Sequence, residues 1–207
     1  RDGAGYLAAV GDPPAGGTVL LASGRGKAGG VVGGRAIDLG CGEGRDTLAL
    51  LKAGYKVLAI DGHPEAFERL ESRPDLTDEL RARLTTQLAP MEGLELERAE
   101  VGGGEGVAIF NASFTLPFCL PGRFEALWAG IVGAIGPGGY FAGQLFGDRD
   151  TWASWPDRSH HTRAQVEGLL REFEVCQLKE EEKPGKAVEQ NTKHWHVFHI
   201  VARKRGR

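Results

Sequence analysis

Cysteine is scarce: the 207 residues hold three, Cys41, Cys119 and Cys176. So few thiols, so widely spaced, exclude a disulfide framework and a zinc knuckle and point to a reducing, cytoplasmic setting. Long apolar runs are missing too. None approaches the roughly 18 residues of a membrane span, and the N-terminus lacks a charged-then-apolar leader pattern. Charge of one sign is not in excess either, with a net charge of −3. That balance gives no reason to expect nucleic acid or an anionic membrane as partner, and the short tail Arg203-Lys-Arg-Gly-Arg does not outweigh it. What the chain does have is glycine, 32 residues, within a composition 41% hydrophobic and 26% charged. A chain of this length can form one substantial domain that buries about 70% of its unfolded surface.

The most organised stretch runs from Gly34 to Asp61. Ala36, Ile37 and Leu39 supply a strand that Gly40 terminates; Gly40, Gly42 and Gly44 then alternate through a tight turn. Asp46 is placed to cap a helix carrying Leu48, Leu50 and Leu51, and Gly54 falls just past its end. Val57-Leu-Ala-Ile is a second strand, with Asp61 at its carboxyl end. In an open parallel sheet that edge is where ligands bind. An ordinary strand-to-helix turn would also use glycine. The nicotinamide-dinucleotide pattern G-x-G-x-x-G would need glycine at 45, where Arg45 stands.

Downstream, Pro64 opens a helix to about Ser72, and Leu80, Leu84 and Leu88 recur every four residues in a helix expected from Asp75 or Thr77 to Leu88. The alternation in 94–99 reads as a strand near a sheet edge, followed by a Gly-rich turn. Val107 to Ala112 is a central strand, with Asn111, Ala112 and Ser113 at its carboxyl end. Leu116 to Pro121 is either a core plug or a substrate wall made by Phe118 and Cys119. A helix bearing Phe124, Leu127, Trp128 and Ile131 precedes a break at Gly136-Pro-Gly-Gly and a strand over 140–146. The loop from Gly147 to Pro156 holds Trp152 and Trp155, with His160 and His161 just beyond; it reads as a lid over a substrate, or as a loop stitched to the domain. Thr162 and Gln165 form a capping box, 173–178 a strand, and 180–185 a charged, solvated connection. The final strand over 194–203 carries His194, His196 and His199; no thiol or carboxylate cluster joins them, so edge-strand packing is expected rather than a metal site.

Asp38-x-Gly40-x-Gly42-x-Gly44 resembles motif I of the class I methyltransferases, which bind S-adenosylmethionine (SAM) and release S-adenosylhomocysteine. Gly-Glu-Gly-Arg45-Asp46, Gly54-Tyr-x-Val-x-Ala-Ile-Asp61 and Pro64-Glu-Ala are more narrowly similar to the tellurite-resistance and thiopurine-methyltransferase-like branch. The resemblance implies an α/β Rossmann-like sheet of seven mostly parallel strands, ordered 3-2-1-4-5-7-6 with the last antiparallel and helices on both faces. It implies a single SAM-binding domain over 34–207, with 1–33 as an N-terminal flap whose aromatic is Tyr6. It places the amino-acid part of SAM at Asp38, Gly40, Cys41, Gly42, Gly44 and Arg45, and its ribose at Asp61. Gly62 and His63 follow at the adenine side, although His63 is equally an exposed turn residue. Glu100 is the candidate for the adenine amino group, and Asn111, Ala112 and Ser113 for the methionine part. The implied reaction is SN2 methyl transfer to a small-molecule acceptor beside Phe118, Cys119, Phe146 and Trp152. His160 or His161 would be the base if one is used. The alternative is a SAM-fold protein that binds the cofactor without methylating. No metal is implied, and the chain is expected to be a monomer or homodimer.

Overall fold

The computed structural model describes residues 22, 34–96, 106–187 and 190–206, and the side chains of all of these except 186, 187, 190 and 191. The tract 1–33, apart from Ala22, and with it Tyr6 and the expected flap, lies outside the described residues, as does Glu100.

The order is β1 (Arg35–Leu39), α1 (Arg45–Lys52), β2 (Lys56–Asp61), α2 (Pro64–Glu71), α3 (Asp78–Arg81), β3 (Leu84–Leu88) and β4 (Val107–Ala112). Then come α4 (Pro121–Ala134), β5 (Ile135–Gly147), β6 (His160–His161), α5 (Arg163–Leu169), β7 (Phe173–Ala187) and β8 (Gln190–Lys204). The sheet runs β3-β2-β1-β4-β5-β8-β7, with the two-residue β6 pairing the end of β5. The first five strands are parallel, and β8 runs antiparallel to both β5 and β7. This is the expected order and direction of pairing, with β7 and β8 as the sixth and seventh strands, so that β8 lies inside and β7 at the edge.

β1 after Arg35 and β2 from Val57 to Ile60 are buried because both sheet faces are covered, which is why they read as apolar runs, broken only by Asp38. On one face Ile37, Leu58, Phe110, Phe141 and Phe198 meet Phe124, Leu127, Trp128 and Ile131 of α4 and Val166 of α5. On the other, Ala36, Val57, Ile109 and Val201 meet Leu48, Leu50 and Leu51 of α1, Leu70 of α2 and Leu80 of α3. Trp128 is core, as its helical stripe implies, and its Nε1 donates to the Leu169 carbonyl at 3.2 Å. Thr162 and Gln165 form the expected reciprocal capping box at the start of α5.

Four local readings are overturned. The helix expected through Leu88 stops at Arg81; Thr77 caps that single turn, and Leu84–Leu88 is instead β3, paired in register with β2. A spacing of four residues fits a strand as well as a helix, and the hydrogen bonds offered by the edge of β2 decide for the strand. Residues 94–95 follow a 3₁₀ turn (Met91–Gly93) and are not strand, Leu96 turns into the core under α4, and the rest of that expected strand, 97–99, lies outside the described residues. The expected solvated connection at 180–185 is continuous β7. Because β7 extends that far, β8 lies between β5 and β7 and is an interior strand, not an edge.

The end of β8 is pinned by a buried cation. Lys193 and Asp150 form an ion pair with both side chains fully buried. The ammonium lies 4.2 Å from the ring centroids of Trp152 and Trp195, and Asp150 also accepts from the backbone N–H groups of Trp152 and His196. Removing one partner of a buried pair leaves the other charge desolvated, typically at a cost of ~3–5 kcal/mol. Lys193→Ala is therefore expected to lower the urea midpoint by an equivalent amount, read against wild type in one buffer; an unchanged midpoint would remove the pin from this account.

Candidate functional site at the carboxyl edge of the sheet

Leu39 ends β1, and the chain turns at Gly40, whose N–H donates to the Ile60 carbonyl at 2.8 Å. All three alternating glycines adopt a positive φ, +68°, +51° and +82°, and they differ in what surrounds them. A Cβ on Gly40 would lie 2.1 Å from Thr115 Oγ1, and one on Gly44 would lie 2.1 Å from Leu70 Cδ1. Those two are demanded by packing. Gly42, at φ +51°, would meet nothing within 4 Å. It alone presents bare backbone to open space, the property a ligand-facing turn needs. Asp61 closes the turn from the next strand, accepting from the Gly42 N–H at 2.9 Å and the His63 N–H at 3.0 Å.

Below the turn lies a buried acidic cluster. Asp38, 1% exposed, accepts from Thr47 Oγ1 at 2.5 Å and Asn111 Nδ2 at 2.8 Å. Asp46 is not the helix cap, a place taken by Gly44 without a side-chain bond. It sits in the first turn of α1, facing inward, where it accepts from Ser113 Oγ at 2.5 Å and from Asn111 Nδ2 at 3.3 Å. The two carboxylates thus share one amide. The α1 N-terminus favours negative charge there, and Arg45 Nε lies 3.4 Å from Asp46. Burial and the Asp46 charge nevertheless push Asp38 up to about 7, against the hydrogen bonds from Thr47 and Asn111. The same burial, with the charges of Asp38 and Asp61, pushes the Cys41 thiol far up, so Cys41 is not a nucleophile. A cluster of carboxylates only partly offset by Arg45, beside an open glycine, suits a cationic ligand and opposes a pyrophosphate.

Residues 26–99 match the family model described as tellurite resistance protein TehB. A curated relative, an uncharacterized methyltransferase from Synechocystis sp., is 27% identical over 124 residues, covering 60% of this chain and 52% of that protein. The chain therefore spans about half the length of that relative. Among solved structures, TehB from Haemophilus influenzae superimposes with a TM-score of 0.68 at 17% identity, over 87% of this chain and 61% of that one. N-methyltransferase NodS from Bradyrhizobium japonicum, crystallised with S-adenosyl-L-homocysteine, gives 0.64 at 13% identity, over 94% and 90%. The chain has the class I methyltransferase fold. The motif resemblance and the family-model match agree, since the matched segment contains β1, the glycine turn, β2 and Asp61.

In this fold Asp38, Gly40, Cys41, Gly42, Gly44, Arg45, Asp61, Asn111, Ala112 and Ser113 gather at the carboxyl ends of β1, β2 and β4, and Gly62 and His63 lie exposed beside them. Of the residues expected around the acceptor, Phe118, Phe146 and Trp152 meet ring to ring and His160 lies against Phe146, whereas Cys119 and His161 pack elsewhere. Cys119 is buried beneath α4 with its thiol pushed up to about 11. Phe146 and Trp152 are buried in an aromatic cluster with Trp195, and Trp152 stacks on Trp155. The Gly147–Pro156 loop is thereby stitched to the domain. Phe118 is half-buried on that cluster, 4.9 Å beneath the Arg158 guanidinium. His161 packs on Phe124 with ring centroids 4.4 Å apart, and burial pushes it down to about 4. His160 leans on Phe146, its Nε2 4.0 Å from Asp150 and its pKa lowered, chiefly by burial. Thr47, Gln144 and the cluster-facing role of Asp46 escaped the sequence reading. For Asp46 and Thr47, the inward face of the first turn of α1 was the available signal.

Asp38 makes stability depend on pH. Its folded value of about 7 lies above the unfolded value of about 3.9, so the folded state holds the proton more tightly. That contribution is complete below about pH 4 and is lost as pH rises through about 7. Asp38→Asn is expected to flatten this part of the profile, measured as the change in urea midpoint between about pH 5 and about pH 8.

Proposed function

We propose that the protein is a SAM-dependent methyltransferase that moves a methyl group by SN2 displacement to a small-molecule nucleophile. The observation that carries this reading is the buried pair Asp38–Asp46 beside the open face of Gly42. When bound, SAM supplies a sulfonium carbon activated for displacement, and the leaving group is neutral. Asp38 and Asp46 would hold the cationic methionine part, Gly42 would admit it, and the carboxylate of Asp61 would take the ribose hydroxyls. Each Asp61 oxygen already accepts one backbone N–H and retains lone pairs for this. A nicotinamide dinucleotide fits poorly, because its pyrophosphate would face these carboxylates at the place where it needs donors.

With so good a leaving group, positioning is the main work, and near-attack alignment is worth about 7–11 kcal/mol. The fold supports that work by rigidity: Asn111 and Ser113 tie the end of β4 to α1, and Thr115 Oγ1 ties the next turn to Leu39 at 2.9 Å. Loss of the sulfonium charge on transfer would remove the counter-charge of the acidic cluster, which favours product release. Related structures support a small acceptor: one is the Burkholderia thailandensis 1,6-didemethyltoxoflavin-N1-methyltransferase with its substrate, 20% identical with a TM-score of 0.59. The three free cysteines fit a cytoplasmic enzyme.

Asp61→Ala is expected to weaken SAM binding at least about tenfold, because it removes charge-assisted bonds worth ~1.5–3 kcal/mol. Isothermal calorimetry measures this directly, and equal affinity in the variant would defeat the assignment of Asp61. Formation of S-adenosylhomocysteine in the presence of acceptor separates a methyltransferase from a protein that only binds the cofactor.

A further inference from the structure

The sheet register extends the cofactor cluster sideways. Asp38 stands opposite Asn111 on β4, Asn111 opposite Ala142 on β5, and Ala142 opposite Val201 on β8. Side chains two residues apart on a strand share a face. The next row toward the carboxyl edge, on that same face, therefore holds Gln144 directly opposite His199, with Ser113 in the turn just past the end of β4. Adjacent strands are about 4.8 Å apart, so His199 lies two strands from the residues that bind Asp46.

The intervening contacts are continuous. Ser113 Oγ donates to Asp46, and the next residue, Phe114, donates its N–H to Gln144 Oε1 at 2.9 Å. Phe114 adopts a positive φ of 51°, and its ring meets the His199 ring edge-on with centroids 6.1 Å apart. His199 Nε2 is shielded from solvent and has no hydrogen-bond partner among the described residues. A shielded ring nitrogen without a partner is costly unless something supplies one.

The other five histidines are placed elsewhere. His194 and His196 bond Glu182 and Glu180, and His63 is exposed at the start of α2. His160 Nε2 and His161 Nδ1 are also shielded without a hydrogen-bond partner among the described residues, but those rings pack on Phe146 and Phe124, whereas His199 meets Phe114 and stands opposite Gln144.

We infer that His199 is the catalytic base of the proposed methyl transfer, receiving the proton of a small acceptor that carries a weakly acidic O–H or S–H beside Phe114. This rests on the methyltransferase reading. The His199 Nε2 lone pair takes the acceptor proton while the new bond to the methyl carbon forms and the carbon–sulfur bond breaks, its electron pair returning to sulfur. The imidazolium then loses its proton to water. The surroundings keep the ring neutral beforehand: burial lowers its pKa, the Glu181 charge opposes this, and Lys179 and Lys183 reinforce it. Those three lie on the neighbouring β7, where Glu181 bonds both lysines, and β5 contributes only the uncharged Gln144.

The test uses catechol and phenylmethanethiol, both protonated at neutral pH, as acceptor probes with the full chain and SAM. Wild type is expected to form S-adenosylhomocysteine from at least one probe, with kcat falling as pH drops through the His199 pKa. His199→Gln is expected to lose ~10²–10⁴-fold in kcat and that acid limb, the range typical of general-base catalysis. Its S-adenosylhomocysteine affinity by calorimetry and its KM are expected to stay within about threefold, and free imidazole should restore turnover to His199→Ala. In the S-adenosylhomocysteine complex, the ¹⁵N resonance of His199 Nε2 should shift on adding the probe. A variant within about threefold of wild-type kcat, or a loss matched by lost cofactor affinity, overturns the inference. Wild type that binds SAM but methylates neither probe overturns it too. Wild type that fails to bind SAM overturns the methyltransferase reading itself.

Discussion

Two carboxylates competing for one buried amide set the terms for everything around them. Asp38 and Asp46 both accept from Asn111 Nδ2, and burial leaves that pair short of counter-charge. Like charges held close in a medium less polarisable than water repel strongly. Such an arrangement persists only if the surrounding elements are fixed by other forces. Here they are: β1 and β4 are interior parallel strands, and α1 is anchored by Leu48, Leu50 and Leu51. The apolar core thus holds a polar site in a state that a cation would relieve.

The far half of the sheet is held differently. The β7–β8 hairpin extends past the rest of the sheet and is fastened by charge. Buried Lys193 meets Asp150 among tryptophans, and exposed Arg149 bonds both Glu180 and Glu182. Glu180, Glu182 and His196 have spacing that could hold a metal ion, yet the Arg149 guanidinium already lies against all three. These contacts keep β8 interior and rigid, which fixes where His199 stands relative to β5.

Much of the site was legible along the chain because it is local. The glycine turn and Asp61 occur within one strand–helix–strand unit, where each residue's place follows from chain direction and alternation. Buried parallel strands such as β1 and β2 announce themselves as apolar runs. β3 did not, since an exposed edge strand reading Leu-Thr-Thr-Gln-Leu has no strong period of its own. Trp152 and His161 lie close in sequence but part in the fold, Trp152 joining the aromatic cluster and His161 packing on Phe124.

The sequence by itself marked the strand–helix–strand unit and its glycine turn, because short-range geometry and hydrophobic period act within a few residues; the order of strands came from the family resemblance. Only the tertiary structure decided which glycine faces open space, that Asp46 joins Asp38 rather than capping a helix, and which histidine shares a face with that pair. Those depend on register between strands more than seventy positions apart, as with the bond from Asn111 to Asp38 across 73 residues. No local pattern encodes such a register; packing of both sheet faces sets it.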